Sequence, residues 1–174
     1  MQLYNKLSAN ERAILIEKAG NRRITLSFYK YHQIKNTSLF RDHLYLMWEK
    51  LDVLGRIYIA SEGINAQLSM PSQNLNEFKT KLDSIDFLKE IRLNVAVEQD
   101  DFSFLKLKVK IRNKIVADGL SENSFDLSNN GTHVNASEFN TLIENPNTLL
   151  VDMRNHYESE IGHFDGAILP DVDS

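Results

Sequence analysis

The 174-residue chain contains no cysteine, which excludes a disulfide framework, a thiolate metal site and a cysteine nucleophile within this stretch. Its apolar runs all fall far short of the roughly 20 residues that a membrane helix needs. The N-terminus lacks the basic-then-apolar pattern of a signal peptide. The five histidines, His32, His43, His133, His156 and His163, include no pair of histidines at i, i+4 with an accompanying acid, so no metal site is expected. No glycine-rich phosphate loop and no Gly-x-Ser-x-Gly elbow occurs. What is present is 42% hydrophobic and 25% charged, enough for a real core and too apolar for disorder. These features predict a cytoplasmic protein of one ordinary domain or two small ones, with no membrane partner.

The net charge of −4 conceals a polarity. Residues 1–117 carry 19 basic and 13 acidic side chains, and residues 118–174 carry Arg154 alone against 11 acids. Such asymmetry suggests separate units with different partners, the basic one being a candidate for nucleic acid. Mutual attraction of the two halves explains it equally well.

Hydrophobic periodicity divides the chain further. Ser8 with Glu11 makes a capping box for a short helix carrying Ile14, Leu15 and Ile16, which Gly20 stops. Residues 24–31 alternate as a strand. Phe40, Leu44, Met47, Trp48 and Leu51 form one stripe of a helix over 37–51, behind Asn36, Thr37 and Ser38 as caps. Residues 53–60 and 64–69 flank Ser61-Glu62-Gly63 and read as a hairpin, with Gly63 supplying the positive φ of the turn. A helix over 72–84 and strands over 91–97 and 104–112 follow. The order βαββαβ plus one strand predicts an α+β, ferredoxin-like split βαβ domain: an antiparallel sheet with both helices on one face. Residues 118–132, rich in Asp, Ser, Asn and Gly, look like a linker. Beyond them a helix opens at Asn135-Ala136-Ser137-Glu138, Asn145-Pro146-Asn147 ends it, and Thr148–Val151 has the composition of a buried strand. That strand is too apolar to stand uncovered, so residues 118–174 are expected to be poorly ordered or to pair with further chain.

The strongest chemical pattern is Leu105-Lys-Leu-Lys-Val-Lys-Ile-Arg112. Alternation sends Leu105, Leu107, Val109 and Ile111 to the core face and Lys106, Lys108, Lys110 and Arg112 to the other, with Lys114 extending the ladder. Lysines also protect edge strands against aggregation, but one or two suffice for that, and a ladder of four favours phosphate contact. Tyr29, Tyr31 and His32, beside Lys30 and Lys35, put aromatic rings and positive charge at the end of the first strand, a stacking platform for unpaired bases; half-buried tyrosines at a strand end are as common. Glu62 and Asn65 suit either a ligand or the turn they flank.

Residues 149–167, Leu-Leu-Val-Asp-Met-Arg-Asn-His-Tyr-Glu-Ser-Glu-Ile-Gly-His-Phe-Asp-Gly-Ala, resemble the opening of a rhodanese domain, a strand ending in Asp-x-Arg followed by a Glu-containing turn and Gly-His-x-x-Gly-Ala. The matching residues are Asp152, Arg154, Glu158 or Glu160, Gly162, His163, Gly166 and Ala167, whose implied roles are mainly structural. Together with Arg23–Tyr31, Gly55–Ser69 and Lys108–Leu120, this run resembles the bacterial tRNA uridine(34) hydroxylase family, which pairs an acylphosphatase-like N-terminal domain with a rhodanese domain.

That resemblance implies oxygen-dependent 5-hydroxylation of the wobble uridine of tRNA, with molecular oxygen as co-substrate and tRNA as partner. It implies an acylphosphatase-like domain over 1–117, a linker over 118–132 and the N-terminal part of a rhodanese domain over 133–174. The family's rhodanese cysteine lies C-terminal to the Gly-Ala strand, beyond Ser174, so the chain is expected to be an N-terminal fragment without the catalytic residue. RNA contact then falls to Lys106, Lys108, Lys110, Arg112, Lys114, Tyr29 and Tyr31. The alternatives are a rhodanese-type sulfurtransferase and a non-catalytic interaction module. Acylphosphatase chemistry is disfavoured, since no glycine-rich phosphate cradle follows the first strand.

Overall fold

A computed structural model describes residues 4–20, 22–116, 131–154 and 156–170. The chain separates into two units, Met1–Val116 and Ala117–Ser174. In the first, α1 (Ala9–Ala19) has the reciprocal Ser8–Glu11 capping box and ends at Gly20 in the left-handed region. Only Ile16 of its apolar residues is buried, whereas Ile14 and Leu15 stay about half exposed. Then follow β1 (Arg23–Tyr31), α2 (Thr37–Glu49), capped by the Asn36 side chain, β2 (Leu54–Ala60) and β3 (Gly63–Pro71). The helix expected over 72–84 opens as a 3-10 turn, Ser72–Asn74, and becomes α3 over Leu75–Asp83. Two short strands close the unit, β4 (Asn94–Val95) and β5 (Leu107–Ile111).

The five strands run in the order β4-β1-β3-β2-β5. Three pairings are antiparallel, as the split βαβ order requires, but β5 lies parallel to β2. The sheet is therefore mixed, and the expectation of an antiparallel sheet is corrected at that edge. Residues 96–106 cause this by leaving β4 at one edge and bringing the chain to the far edge. On the way Asp101 and Gln99 accept from the backbone N–H groups of Arg23 and Thr25.

One face of the sheet is the core. Leu26, Phe28, Ile57, Ile59, Ile64, Ala66, Leu68, Met70 and Leu107 pack in one cluster with Leu44 and Trp48 of α2 and Phe78 and Leu82 of α3. Both helices thus cover the same face. Trp48 is wholly buried, edge-on to Phe28 and tilted against Phe78. Its indole N–H has no hydrogen-bond partner among the described residues, a cost of about 1–3 kcal/mol that the burial of so large a ring outweighs. The strand expected over 91–97 shrinks to two residues because only Ile91 and Leu93 reach the core, while Val95 and Val97 face solvent. β5 is likewise shorter than 104–112. Leu107 is 3% exposed and Ile111 38%, because an edge strand has cover on one side only.

Gly63 begins β3 directly after the Ser61-Glu62 turn at φ 153°. A Cβ there would collide with the Lys30 carbonyl, so close approach of β1 requires glycine as much as the turn does.

In the second unit, α4 (Ala136–Ile143) has a capping box made by Asn135 and Glu138, and α5 spans His156–Ile161. The strand expected at Thr148–Val151 is a single parallel bridge between Val151 and Ile168. Leu149 and Val151 remain exposed, so the run is not buried as its composition suggested. The linker expected over 118–132 lies almost wholly outside the described residues.

Candidate nucleic-acid interface

The strand register that buries the core face also defines its opposite. Lys108 stands across from Arg56, Arg56 from Gln67, Gln67 from Ser27 and Ser27 from Asn94. At the usual spacing of about 4.8 Å between strands, this polar row is about 19 Å long. The next row holds Lys110, Tyr58, Asn65 and Tyr29. Lys108, Arg56, Gln67 and Asn94 are exposed, and Ser27 is half-buried. Neither row contains an acid.

The row has built borders. On one side lie Leu54 and Ser69, both buried. There the buried Arg23 guanidinium donates to Ser69 Oγ, the Ser69 carbonyl and the Asp52 carboxylate. On the other side residues 113–116 fold back across the sheet. Asn65 Nδ2 donates to the Ile115 carbonyl at 3.1 Å, and the Ile115 N–H donates to Glu62 Oε1 at 2.8 Å. Glu62 and Asn65 therefore hold Ile115, which is buried, in place.

Of the cationic ladder, Lys108 and Lys110 stand in β5 itself. Lys106 precedes it, and Arg112 follows with its guanidinium carbon 5.3 Å from the centre of the Tyr58 ring. Lys114 belongs to the segment that turns back. The side-chain amide of Asn5 pairs with both backbone groups of Leu107, at 2.9 and 2.8 Å, protecting the edge of β5 there without any lysine. Tyr29 and Tyr31 meet edge to face at 6.4 Å, and Tyr29 is 55% exposed. His32 stacks on Phe87 instead. Sequence reasoning missed Arg56, Gln67 and Tyr58; the signal was their alternation with Ile57, Ile59 and Leu68 through a hairpin whose turn was recognised.

Electrostatics favour an anion. Arg56 and Lys108 are directly opposed, and among the described residues no side-chain ion pair neutralises either, so their mutual repulsion is uncompensated. Lys110 adds a third charge diagonally. A polyanion laid across these groups removes the repulsion and releases its own counterions.

The second unit holds another set of predicted residues. Arg154 forks onto both carboxylate oxygens of Asp152 and also donates to the Gly162 carbonyl at 2.7 Å. The guanidinium holds the Asp152 carboxyl down at about 2. His163 Nδ1 lies 3.0 Å from the Ser159 carbonyl, and Gly166 takes φ 74°. The Arg154–Gly162 bond joins the residues just before α5 to those just after it. His156 and Glu160 form an i, i+4 pair at 3.3 Å, but no cluster able to hold a metal occurs among the described residues. Nor is any described helix long and apolar enough to cross a membrane.

Comparison with known proteins agrees with this architecture. Residues 23–115 match the model of the UPF0176 acylphosphatase-like domain. A tRNA uridine(34) hydroxylase of Leptospira interrogans is 55% identical over 172 residues, 99% of this chain and 46% of that protein. Proteins of the same name from Photorhabdus laumondii and Yersinia pestis are 47% identical over 167 residues, 95% of this chain and 47% of each relative. The chain thus spans about half the length of the curated relatives it matches. With more than half of its residues under the family model and the corresponding fold in place, the chain belongs to the UPF0176 acylphosphatase-like family.

Proposed function

We propose that this chain is the tRNA-holding part of a cytoplasmic enzyme that 5-hydroxylates uridine 34 of tRNA with molecular oxygen. The observation that carries it is the acid-free row on the open sheet face, where Arg56 and Lys108 oppose each other and Lys110 stands beside them. In this reading Lys106, Lys108, Lys110, Arg112 and Lys114 take phosphates, Arg56 joins them, and Tyr29 and Tyr31 lie alongside. The names of the relatives support the reaction. The Asp152–Arg154–Gly162 clamp, with His163 and Gly166, supports residues 133–174 as the opening of a rhodanese unit. Their role is to fix a turn rather than to react. The 174 residues supply no thiol, so they act on the RNA by binding and orienting it.

The test is tRNA affinity against salt. If Arg56, Lys106, Lys108, Lys110, Arg112 and Lys114 each neutralise one phosphate of an unpaired segment, the log–log slope is about −4. Lys108→Glu with Lys110→Glu weakens all tRNAs alike and flattens that slope by about a third, since phosphate contacts carry no sequence information. The fold survives, because Glu at 108 faces Arg56 and replaces repulsion by attraction. Unchanged affinity in the folded double variant overturns the proposal.

A further inference from the structure

We propose that Tyr29, Gln67 and Ser27 form a seat for one unpaired nucleobase, whose flanking phosphates lie on Arg56 and Lys108. This rests on the RNA-holding role and goes beyond it, since it selects single-stranded over duplex RNA and adds a contact to a base. Three observations lead to it.

First, the row is polarised. Its cations, Lys108 and Arg56, stand on β5 and β2, while Gln67, Ser27 and Asn94 on β3, β1 and β4 are neutral hydrogen-bonding groups. A uniform phosphate track would be charged throughout. Charge at one end and uncharged donors and acceptors at the other match a nucleotide laid across the strands, phosphate toward β5 and base toward β1.

Second, Tyr29 is the ring left open. Arg112 already covers Tyr58, whereas Tyr29 is more than half exposed and is propped by Tyr31 at an interplanar angle of 78°. A ring held this way offers a π surface at little entropic cost, and stacking on aromatics is how open sheets take unpaired bases.

Third, Gln67 is diagonal to Tyr29 through the pairs Ser27↔Gln67 and Tyr29↔Asn65, within reach of long side chains. It is exposed, and its amide makes no side-chain hydrogen bond among the described residues, whereas the neighbouring amide of Asn65 is committed to Ile115. A free carboxamide presents a donor and an acceptor side by side, the pattern that pairs with a base edge. In a duplex those edges are turned inward and the stack is closed, so neither Tyr29 nor Gln67 gains a partner.

The test uses fluorescence anisotropy with the 174-residue chain and three probes: a 12-nucleotide single-stranded RNA, the same strand annealed to its complement, and an abasic 12-unit ribose-phosphate strand. The single strand is expected to bind at least ten-fold more tightly than either of the others. Tyr29→Ala lowers its affinity about ten-fold and leaves the salt slope unchanged, because no charge is lost, while Tyr29→Phe keeps the affinity. Gln67→Ala alters the ratio of oligo-U to oligo-A binding several-fold. If Lys108→Glu weakens binding but Tyr29→Ala does not, or the abasic strand binds as well as the RNA, the base seat is overturned and the phosphate face stands. If Lys108→Glu also has no effect, the RNA-holding role falls with it.

Discussion

Replacing Asp52 by Asn probes what holds α1, β1 and the start of β2 together. The Asp52 carboxylate accepts from Arg23 Nη1 at 2.8 Å and from Arg12 Nη1 at 2.7 Å, and its carbonyl accepts from Arg23 Nη2 at 2.6 Å. The two cations are not equivalent: the Arg23 side chain is 2% exposed, Arg12 is 23% and Asp52 is 42%. Burial pushes the Arg23 guanidinium below its ordinary range, and the Asp52 carboxylate draws it back. Stripping the counter-charge from a fully buried pair costs about 3–5 kcal/mol. Here Asp52 is half in water and the Ser69 contacts persist, so about 2 kcal/mol is expected. Asn is the chosen replacement because Asp52 sits at φ 53°, which Asn tolerates and most residues do not. Arg12→Ala removes only the exposed half of the arrangement and costs about 0.5–1 kcal/mol. Urea unfolding, followed by fluorescence of the buried Trp48, measures both. A cost for Asp52→Asn no larger than that for Arg12→Ala refutes the assignment of Arg23 as the charge that Asp52 neutralises.

Three further outcomes follow from the same geometry. Gly63→Ala drives a Cβ into the Lys30 carbonyl and is expected to cost at least about 2 kcal/mol, read in the same unfolding assay; a neutral substitution contradicts the close approach of β1. Asn65→Asp replaces the donor facing the Ile115 carbonyl by an acceptor, so exchange of the Ile115 amide should accelerate at least ten-fold, and unchanged protection would mean that Glu62 alone holds the segment. The Asp152 carboxyl should titrate near 2 rather than at its ordinary 3.8, with Arg154→Gln returning it toward 3.8. Because its folded value is depressed, its contribution to stability is complete above about 4 and is lost as pH falls through about 2; NMR titration of the carboxyl reads this, and a midpoint of 3.8 in both proteins would remove Arg154 as the cause.

Periodicity disclosed what depends on the chain's immediate neighbourhood. The Trp48 stripe, the Ser8–Glu11 and Asn135–Glu138 boxes and the hairpin around Gly63 are local patterns with one physical solution, and each stands where its residues place it. Strand direction is not local. Leu107, Val109 and Ile111 alternate identically whether β5 runs with β2 or against it, and only the path of residues 96–106 decides. The same blindness hid half of the candidate site. The lysines of β5 are conspicuous as a run, but Arg56 and Gln67 are single polar residues in separate strands and become a row with Lys108 only through register. Glu62 and Asn65 illustrate the converse, since both carry groups that suit a ligand and both are consumed by Ile115. The Thr148–Val151 run has strand composition, yet composition sets only a preference, and one bridge to Ile168 is all the pairing the described residues supply.

The open face gains its meaning from what the molecule does around it. Opposed cations on neighbouring strands work against stability, whereas a hydrated amide and an exposed tyrosine ring cost little by themselves. Here the surroundings are arranged to tolerate them. Ile115, held at both its N–H and its carbonyl, limits the row on one side; the Arg23–Asp52–Ser69 network limits it on the other; and Asn5 occupies the edge of β5 at Leu107. None of these bonds uses Arg56, Gln67, Lys108 or Lys110. Binding groups carried on paired strands and braced from outside keep their spacing when a ligand arrives. Under the proposed RNA-holding role the row offers a preorganised surface about 19 Å long, on which bound phosphate would relieve the repulsion between Arg56 and Lys108.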